Sequence, residues 1–153
     1  MDEGIKIKGM FRVAIRNEDG TLAGDSGWCE NTVVNGGFRY FLVSTLGAIA
    51  GSLQVSHAGL GTGAGPAATD TSLGSEVGTR AAVTAATSSS SKAVLFTVTF
   101  NAGWHSSGSA YNISSIGLFN SSASGTLFAG NTYASSSCAS NQAVNASYSI
   151  SFT

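Results

Sequence analysis

The last two-fifths of the chain contain no charged side chain. No Asp, Glu, Lys or Arg occurs between Ala93 and Thr153, whereas about 25–35% of a soluble surface is usually charged. This stretch therefore has little charge to keep neighbouring molecules apart and few groups for acid–base chemistry. The composition favours a protein that packs against other proteins over one that turns over a substrate.

Other features are also scarce, and each absence excludes a class of protein. Seven Lys and Arg against eight Asp and Glu give a net charge of −1, so no basic surface is expected to bind nucleic acid. The apolar runs are far shorter than the ~18 residues of a membrane helix, and no targeting segment is expected. Cys29 and Cys138 are predicted to be free buried thiols, with a single disulfide as the alternative.

The chain is rich in strand and turn patterns. Hydrophobic residues make up 42% of the 153 residues, enough for one domain over residues 1–153. An Asp-Gly turn at 17–20 predicts a hairpin within residues 1–34. Its first strand alternates an apolar face with a basic one; the apolar face comprises Ile5, Ile7, Phe11, Val13 and Ile15, and the basic face Lys6, Lys8, Arg12 and Arg16.

One helix is predicted over residues 36–46. Asn35 can cap its start and Gly47 can end it. A helical apolar stripe should lie across a sheet or plug the end of a sandwich; the stripe comprises Phe38, Phe41, Leu42, Thr45 and Leu46.

Residues 53–153 are predicted to supply the other strands. Strand patterns alternate with turn residues and suggest a mainly β fold, a jelly-roll-like sandwich of two antiparallel sheets. The strands are expected at 53–60, 79–87, 92–101, 113–119, 126–133 and 144–152, with a loop over 59–70, a short helical turn over 71–77 and a serine loop over 88–91.

The outward side chains of the last strands are small and uncharged. Natural monomers usually protect exposed sheet edges with Lys, Pro or bulges. We therefore expect these faces or edges to be covered by copies of the chain or by another protein, with an ordinary solvated polar face as the alternative.

Signals for catalysis and cofactors are weak, and we predict no catalytic, cofactor-binding or metal-binding residue. The glycines at 59, 61, 63 and 65 form neither G-x-G-x-x-G nor a phosphate-binding P-loop, so a structural loop is favoured. His57 and His105 lack the neighbours of a metal site. Asp70 and Glu76 could form a glycosidase pair, but capping of the turn at Thr71 and pairing with Arg80 are better explanations. We expect the protein not to be an enzyme.

Aromatic side chains leave one binding alternative open. Trp28, Trp104 and Tyr111 could line a sugar-binding surface, because aromatic rings stack on the apolar faces of sugars. Core or interface packing explains the same residues equally well.

Two segments resemble small virion proteins of tailed bacteriophages. CENTVVNGGF at 29–38 resembles their N-x-V-V-N-x-G entry to a helix. GLGTGAGP at 59–66, DTSL at 70–73, Glu76 and Arg80 resemble their GxGT…P…DT-x-L…E…R segment. IGLF at 116–119 and GTLFA at 125–129 are similar to their closing hairpin, although Ser115 stands where members often carry an acid.

This resemblance implies a structural role in the virion. The expected function is capsid decoration, in which a cement protein, expected to be a homotrimer, binds across subunits of the major capsid protein and stabilises the shell. A tail-fibre or baseplate component is the alternative within the virion. The basic face of the first strand is a candidate docking surface, or else a solvated one. Neither nucleic acid nor membrane is an expected partner, and the expected location is the virion, after synthesis in the bacterial host cytoplasm.

Overall fold

The computed structural model describes residues 4–87 and 92–153, so the predicted serine loop at 88–91 lies outside the described residues. A π-helix over Gly37–Val43 and the short helix α1 over Ser44–Leu46 form one helical segment, 37–46. The strands are β1 Ile7–Arg16, β2 Leu22–Asp25, β3 Cys29–Glu30, β4 Thr32–Val33, β5 His57–Gly61, β6 Glu76–Ala86, β7 Ala93–Phe100, β8 Tyr111–Phe119, β9 Leu127–Cys138 and β10 Ala143–Phe152.

The strands form a single antiparallel sheet that curls into a half-barrel. The order is β2-β1-β10-β7-β6-β5-β8-β9-β4, with β3 also pairing with β1. The long strand β6 joins the two halves, because its first part pairs with β5 and its last part with β7. The predicted mainly β, antiparallel fold is confirmed. The predicted division into two separate sheets is not confirmed, since β6 belongs to both halves.

The core lies inside the curl, where the two halves face each other. Phe11 of β1 packs edge-on against Tyr133 of β9, with ring centres 5.9 Å apart. It also stacks on Tyr148 of β10 at 5.7 Å. The contact with Tyr133 joins strands from opposite halves of the sheet, so one continuous apolar interior holds the curl closed.

The N-terminal hairpin is confirmed. Phe11, Val13 and Ile15 of β1 are buried while Arg12 and Arg16 are exposed, as the alternation predicts. The turn at 17–20 closes with a hydrogen bond from Gly20 N to Asn17 O at 2.9 Å. Strand β2 then pairs with β1 through a bulge.

The middle of the chain differs from the prediction. Strand β5 begins at His57, so residues 53–56 are not part of it, and it includes the first glycines of the predicted loop. The predicted helical turn over 71–77 is a turn that leads directly into β6 at Glu76. One pair of apolar residues four positions apart, Leu73 and Val77, is too weak a signal for a helix, because a short helix is costly to nucleate and β6 gains its hydrogen bonds by strand pairing.

The later strands form close to where they were predicted. Their positions in the sheet decide which of their edges are paired. β10 lies between β1 and β7, and β8 lies between β5 and β9. Strands β7, β8 and β10 of this uncharged region thus lie inside the sheet, whereas the twelve-residue strand β9 pairs with β4 through Ala129 and Gly130. The expectation that faces or edges of this region are covered by other chains stays a prediction.

The helix forms where predicted, but with a wider winding. Asn35 and Gly36 are already helical ahead of the π-helix, which has no side-chain cap, so Asn35 does not cap it. Helix winding ends at Gly47, yet the left-handed conformation falls on Ala48, with φ of 49°. Because π-helical winding changes the angle between successive residues, the stripe does not stay on one face. Phe41 is buried against Phe128, whereas Leu46 is 91% exposed.

Candidate interaction surfaces

The glycine series is a close-packed connection and not a phosphate cradle. A Cβ on Gly63 would lie 2.9 Å from Gly74 O, and one on Gly65 would lie 2.8 Å from Thr132 N. Both distances are far below ordinary contact, so the backbone of this segment lies directly on neighbouring backbone. The geometry therefore supports a structural role for these glycines, in which they allow close backbone packing.

The two histidines have different hydrogen-bond neighbours. His57 on β5 has Nδ1 2.8 Å from Ser56 Oγ. His105 is buried, with Nε2 3.3 Å from the carbonyl oxygen of Cys138. Within residues 4–87 and 92–153, no group of three or more His, Cys, Asp or Glu side chains lies together to hold a metal ion.

The carboxylates of Asp70 and Glu76 both accept hydrogen bonds within the protein. Glu76 accepts two hydrogen bonds from Arg80, at 2.6 and 2.9 Å, so the predicted pairing is confirmed. Asp70 accepts from the backbone N–H of Ala67 at 2.9 Å. It therefore closes the turn before it, not the one at Thr71, because the chain between them bends back toward Ala67.

Both cysteines are free thiols, as predicted. Cys138 is fully buried and Cys29 is half-buried. Burial raises the pKa of the Cys138 thiol, which makes it a poor nucleophile near neutral pH.

The three aromatic residues suggested for sugar binding do not form one platform. Trp104 is buried, with its ring 4.5 Å from His105 and 5.9 Å from Phe100. Tyr111 is half-buried against the same cluster. Trp28 is 52% exposed, and it is the one member of the trio that offers much of its ring to solvent.

An uncharged polar surface covers the outer side of β6, β7 and β10. We call it the hydroxyl face; it comprises Thr84, Thr97, Thr99, Asn145, Ser147 and Ser149. Thr84 lies opposite Thr97, which lies opposite Ser147. Asn145 Nδ2 donates to Thr99 Oγ1 at 2.9 Å. The inward neighbours Phe96, Val98 and Phe100 are buried, so strand alternation directs these polar residues outward.

The basic face of β1 borders the hydroxyl face but is partly neutralised. Ser147 lies opposite Arg12 in the sheet register. Arg12 forms an ion pair with Asp25, donating from Nε to Oδ1 at 2.9 Å. This hydrogen bond, with a second from Gly27 N, lowers the pKa of Asp25 to about 2. Arg16 donates to Gly20 O at 3.1 Å.

An apolar groove lies between the helical segment and the inner face of the sheet. Its volume is about 870 Å³. Thr45 and Gln54 are the polar residues in a lining that otherwise consists of apolar side chains. The helical segment and the residues after it form one wall; strands β1, β7 and β10 form the other, with Ile7, Val94, Phe96, Ile150 and Phe152.

Exposed apolar side chains form the rim of the groove on the helical side. We call them the apolar ridge: Val43 and Leu46, which line the groove, and Ile49; they are 63%, 91% and 59% exposed. Ile5, on the opposite wall of the groove, is 83% exposed. This surface was not predicted, because Leu46 was assigned to the buried stripe of the helix. The signal available was that Val43 and Ile49 lie outside that stripe.

Comparisons of the chain with protein-family models, with curated proteins and with solved structures each return no match. Within the described ranges, no helix is long and apolar enough to cross a membrane. The hydroxyl face and the apolar groove are the two candidate sites for contact with other molecules.

Proposed function

We propose that the protein is a structural subunit of a tailed-phage virion, a capsid decoration protein that lies across major-capsid subunits and stabilises the shell. The hydroxyl face is the observation that carries this proposal. The sequence resemblance at 29–38 and 59–80 supplies the virion context. In this role the protein acts as a homotrimer and needs neither catalysis nor a cofactor.

The hydroxyl face suits contact with a second protein. Its short side chains allow close approach, and its hydroxyl and amide groups can exchange water for partner hydrogen bonds. Covering it does not require desolvation of ions, which costs several kcal/mol for each charge buried. Specific interfaces bury about 1,200–2,000 Å², and a shell repeats each interface at every equivalent position. Internal pressure from packed DNA must then break these contacts together with those between capsid subunits.

Binding to empty shells of the same particle tests the proposal. Purified protein is mixed with shells lacking it, and bound copies are counted after sedimentation. Thr97→Lys places a charge at the centre of the hydroxyl face, where Thr97 is exposed. We expect it to weaken binding at least about tenfold, because an unpaired ammonium group must be desolvated. Ser109→Lys adds the same charge on an exposed loop residue and should bind like wild type.

Three results would oppose the proposal in distinguishable ways. Wild-type protein that never binds shells, and that purified particles lack, removes the virion role. Equal binding by Thr97→Lys removes the hydroxyl face as the contact. A handful of copies per particle, in place of a number that scales with the shell, assigns the protein to a tail fibre or baseplate.

A further inference from the structure

We infer that the apolar groove is the site where a second copy of this chain docks, with the apolar ridge of one copy in the groove of the next. The inference rests on the proposed function for the expectation that copies associate. It adds the surface they use and the chemistry of the contact.

The groove needs an apolar occupant. Ile5, Val94 and Phe152 line it together with buried Phe41 and Phe96, and leaving such a surface in water is unfavourable. A charged or strongly polar ligand would find only Thr45 and Gln54 as polar partners in the described lining. Desolvating it would therefore not be compensated by hydrogen bonds.

The chain itself carries a protrusion that matches this groove. Leu46 is 91% exposed at the end of α1, and Val43 precedes it by one turn. Both side chains are uncharged and branched, and they form an exposed part of the groove lining itself. A groove with such an exposed apolar rim can complement a copy of itself.

The exposed apolar area is close to what a stable pair of chains needs. Four side chains of the groove lining are 41–91% exposed: Ile5, Phe38, Val43 and Leu46. At about 150–250 Å² for each full side chain, they leave roughly 400–700 Å² in water, at the upper end of what a monomer usually exposes in one patch. A standard interface buries about 800 Å² per partner, and the groove walls supply the remainder.

Charge does not oppose the association of identical chains. The net charge is −1, so repulsion between copies is weak. The nearest charge on the helical segment is Arg39, whose guanidinium lies 5.1 Å from the ring centre of Tyr40. Arg39 is not among the residues that line the groove, so it does not bring a charge into the proposed contact; charge is usually found at the rim of an interface.

Leu46→Glu tests the inference on the full-length chain. Since Leu46 is almost fully exposed, the change should leave the monomer folded, and far-ultraviolet circular dichroism checks this. Leu22→Glu is the matched control, because Leu22 is 51% exposed on β2, away from the groove lining. Molecular mass is measured by sedimentation equilibrium over a wide range of protein concentration.

We expect wild type and Leu22→Glu to form the same discrete oligomer and Leu46→Glu to dissociate to monomers. The dissociation constant of Leu46→Glu should be about 10- to 100-fold or more above that of wild type, because the interface loses the burial of one leucine side chain. Val43→Glu should act in the same direction. A wild-type chain that stays monomeric at high concentration overturns the inference, as does an oligomer that both ridge variants leave intact.

The same samples identify any other occupant of the groove. A monomeric wild type that co-sediments with neutral phospholipid vesicles, and loses this on Leu46→Glu, assigns the groove to lipid and overturns self-docking. Failure of the proposed function has a different signature. If only the proposed function is wrong, the chain forms an oligomer that Leu46→Glu dissociates, but this oligomer does not bind shells.

Discussion

The guanidinium of Arg80 lies flat against the ring of Phe119, with its central carbon 3.4 Å from the ring centre. The same group donates to both carboxylate oxygens of Glu76 and to the carbonyl oxygens of Ser121 and Ser124. One side chain thus ties β6 to the end of β8 and to the turn before β9, within the second half of the sheet.

Arg80→Lys should lower the free energy of unfolding by about 1–3 kcal/mol, because an ammonium group cannot form the paired hydrogen bonds or the stacking contact. Urea unfolding measures the change. Arg12→Lys is the comparison, since the Arg12–Asp25 ion pair is exposed and should matter much less. If the two substitutions lower the free energy of unfolding equally, the contacts of Arg80 stabilise the protein no more than the exposed ion pair does.

Gly37→Ala should destabilise the protein by about 1–3 kcal/mol through overpacking. A Cβ at Gly37 would overlap the carbonyl oxygen of Phe128, which belongs to β9. Gly36→Ala is the matched control, because its Cβ would meet Thr126 at an ordinary 3.5 Å. That change should be neutral or stabilising by up to about 1 kcal/mol, since alanine favours helix. Thermal unfolding of both variants decides whether the close approach at Gly37 holds the helical segment on the sheet.

The Asp25 carboxyl should titrate at about pH 2, because Arg12 and Gly27 donate hydrogen bonds to its charged form. A lowered pKa in the folded state means that the contribution to stability is complete above the unfolded pKa of about 3.9. It is lost as the pH falls from there toward 2. Carbon-detected NMR titration measures the pKa directly. Arg12→Gln should return it toward the ordinary value, and no change on that substitution would contradict the assignment.

The two tryptophans should differ in fluorescence. Trp28→Phe leaves only buried Trp104, so emission should move to shorter wavelength and resist acrylamide quenching. Trp104→Ala should cost about 3–5 kcal/mol of stability, which makes it unsuitable as a test of sugar binding. The appropriate variant for a glycan screen is Trp28→Ala, whose side chain is half exposed. Glycan binding that Trp28→Ala abolishes would revive the carbohydrate-binding alternative.

Local alternation along the chain was enough to predict most strands. The pattern around Phe11 and Val13 predicted both the strand and its buried face. When every second residue is apolar, only one of the two faces of the strand can pack into the core. The Glu76–Arg80 pair was also predicted, although Glu76 was assigned to a helical turn and not to the strand that carries Arg80.

Relationships between distant segments could not be predicted in this way. No local signal shows that β6 pairs with β5 at one end and with β7 at the other, so one curled sheet was mistaken for two. The wide helical winding, which exposes Leu46, depends on how Gly37 and Phe41 pack on β9. The apolar groove follows from that packing, and it was therefore invisible in the sequence.

The strands at the ends of the sheet are unusually brief. β2 has four residues, and β3 and β4 have two each. Backbone groups on such short borders offer an incoming chain too few hydrogen bonds to add another strand. At β2, β3 and β4 we therefore expect contacts with other molecules to use side-chain surfaces, and not the addition of a further strand to the sheet.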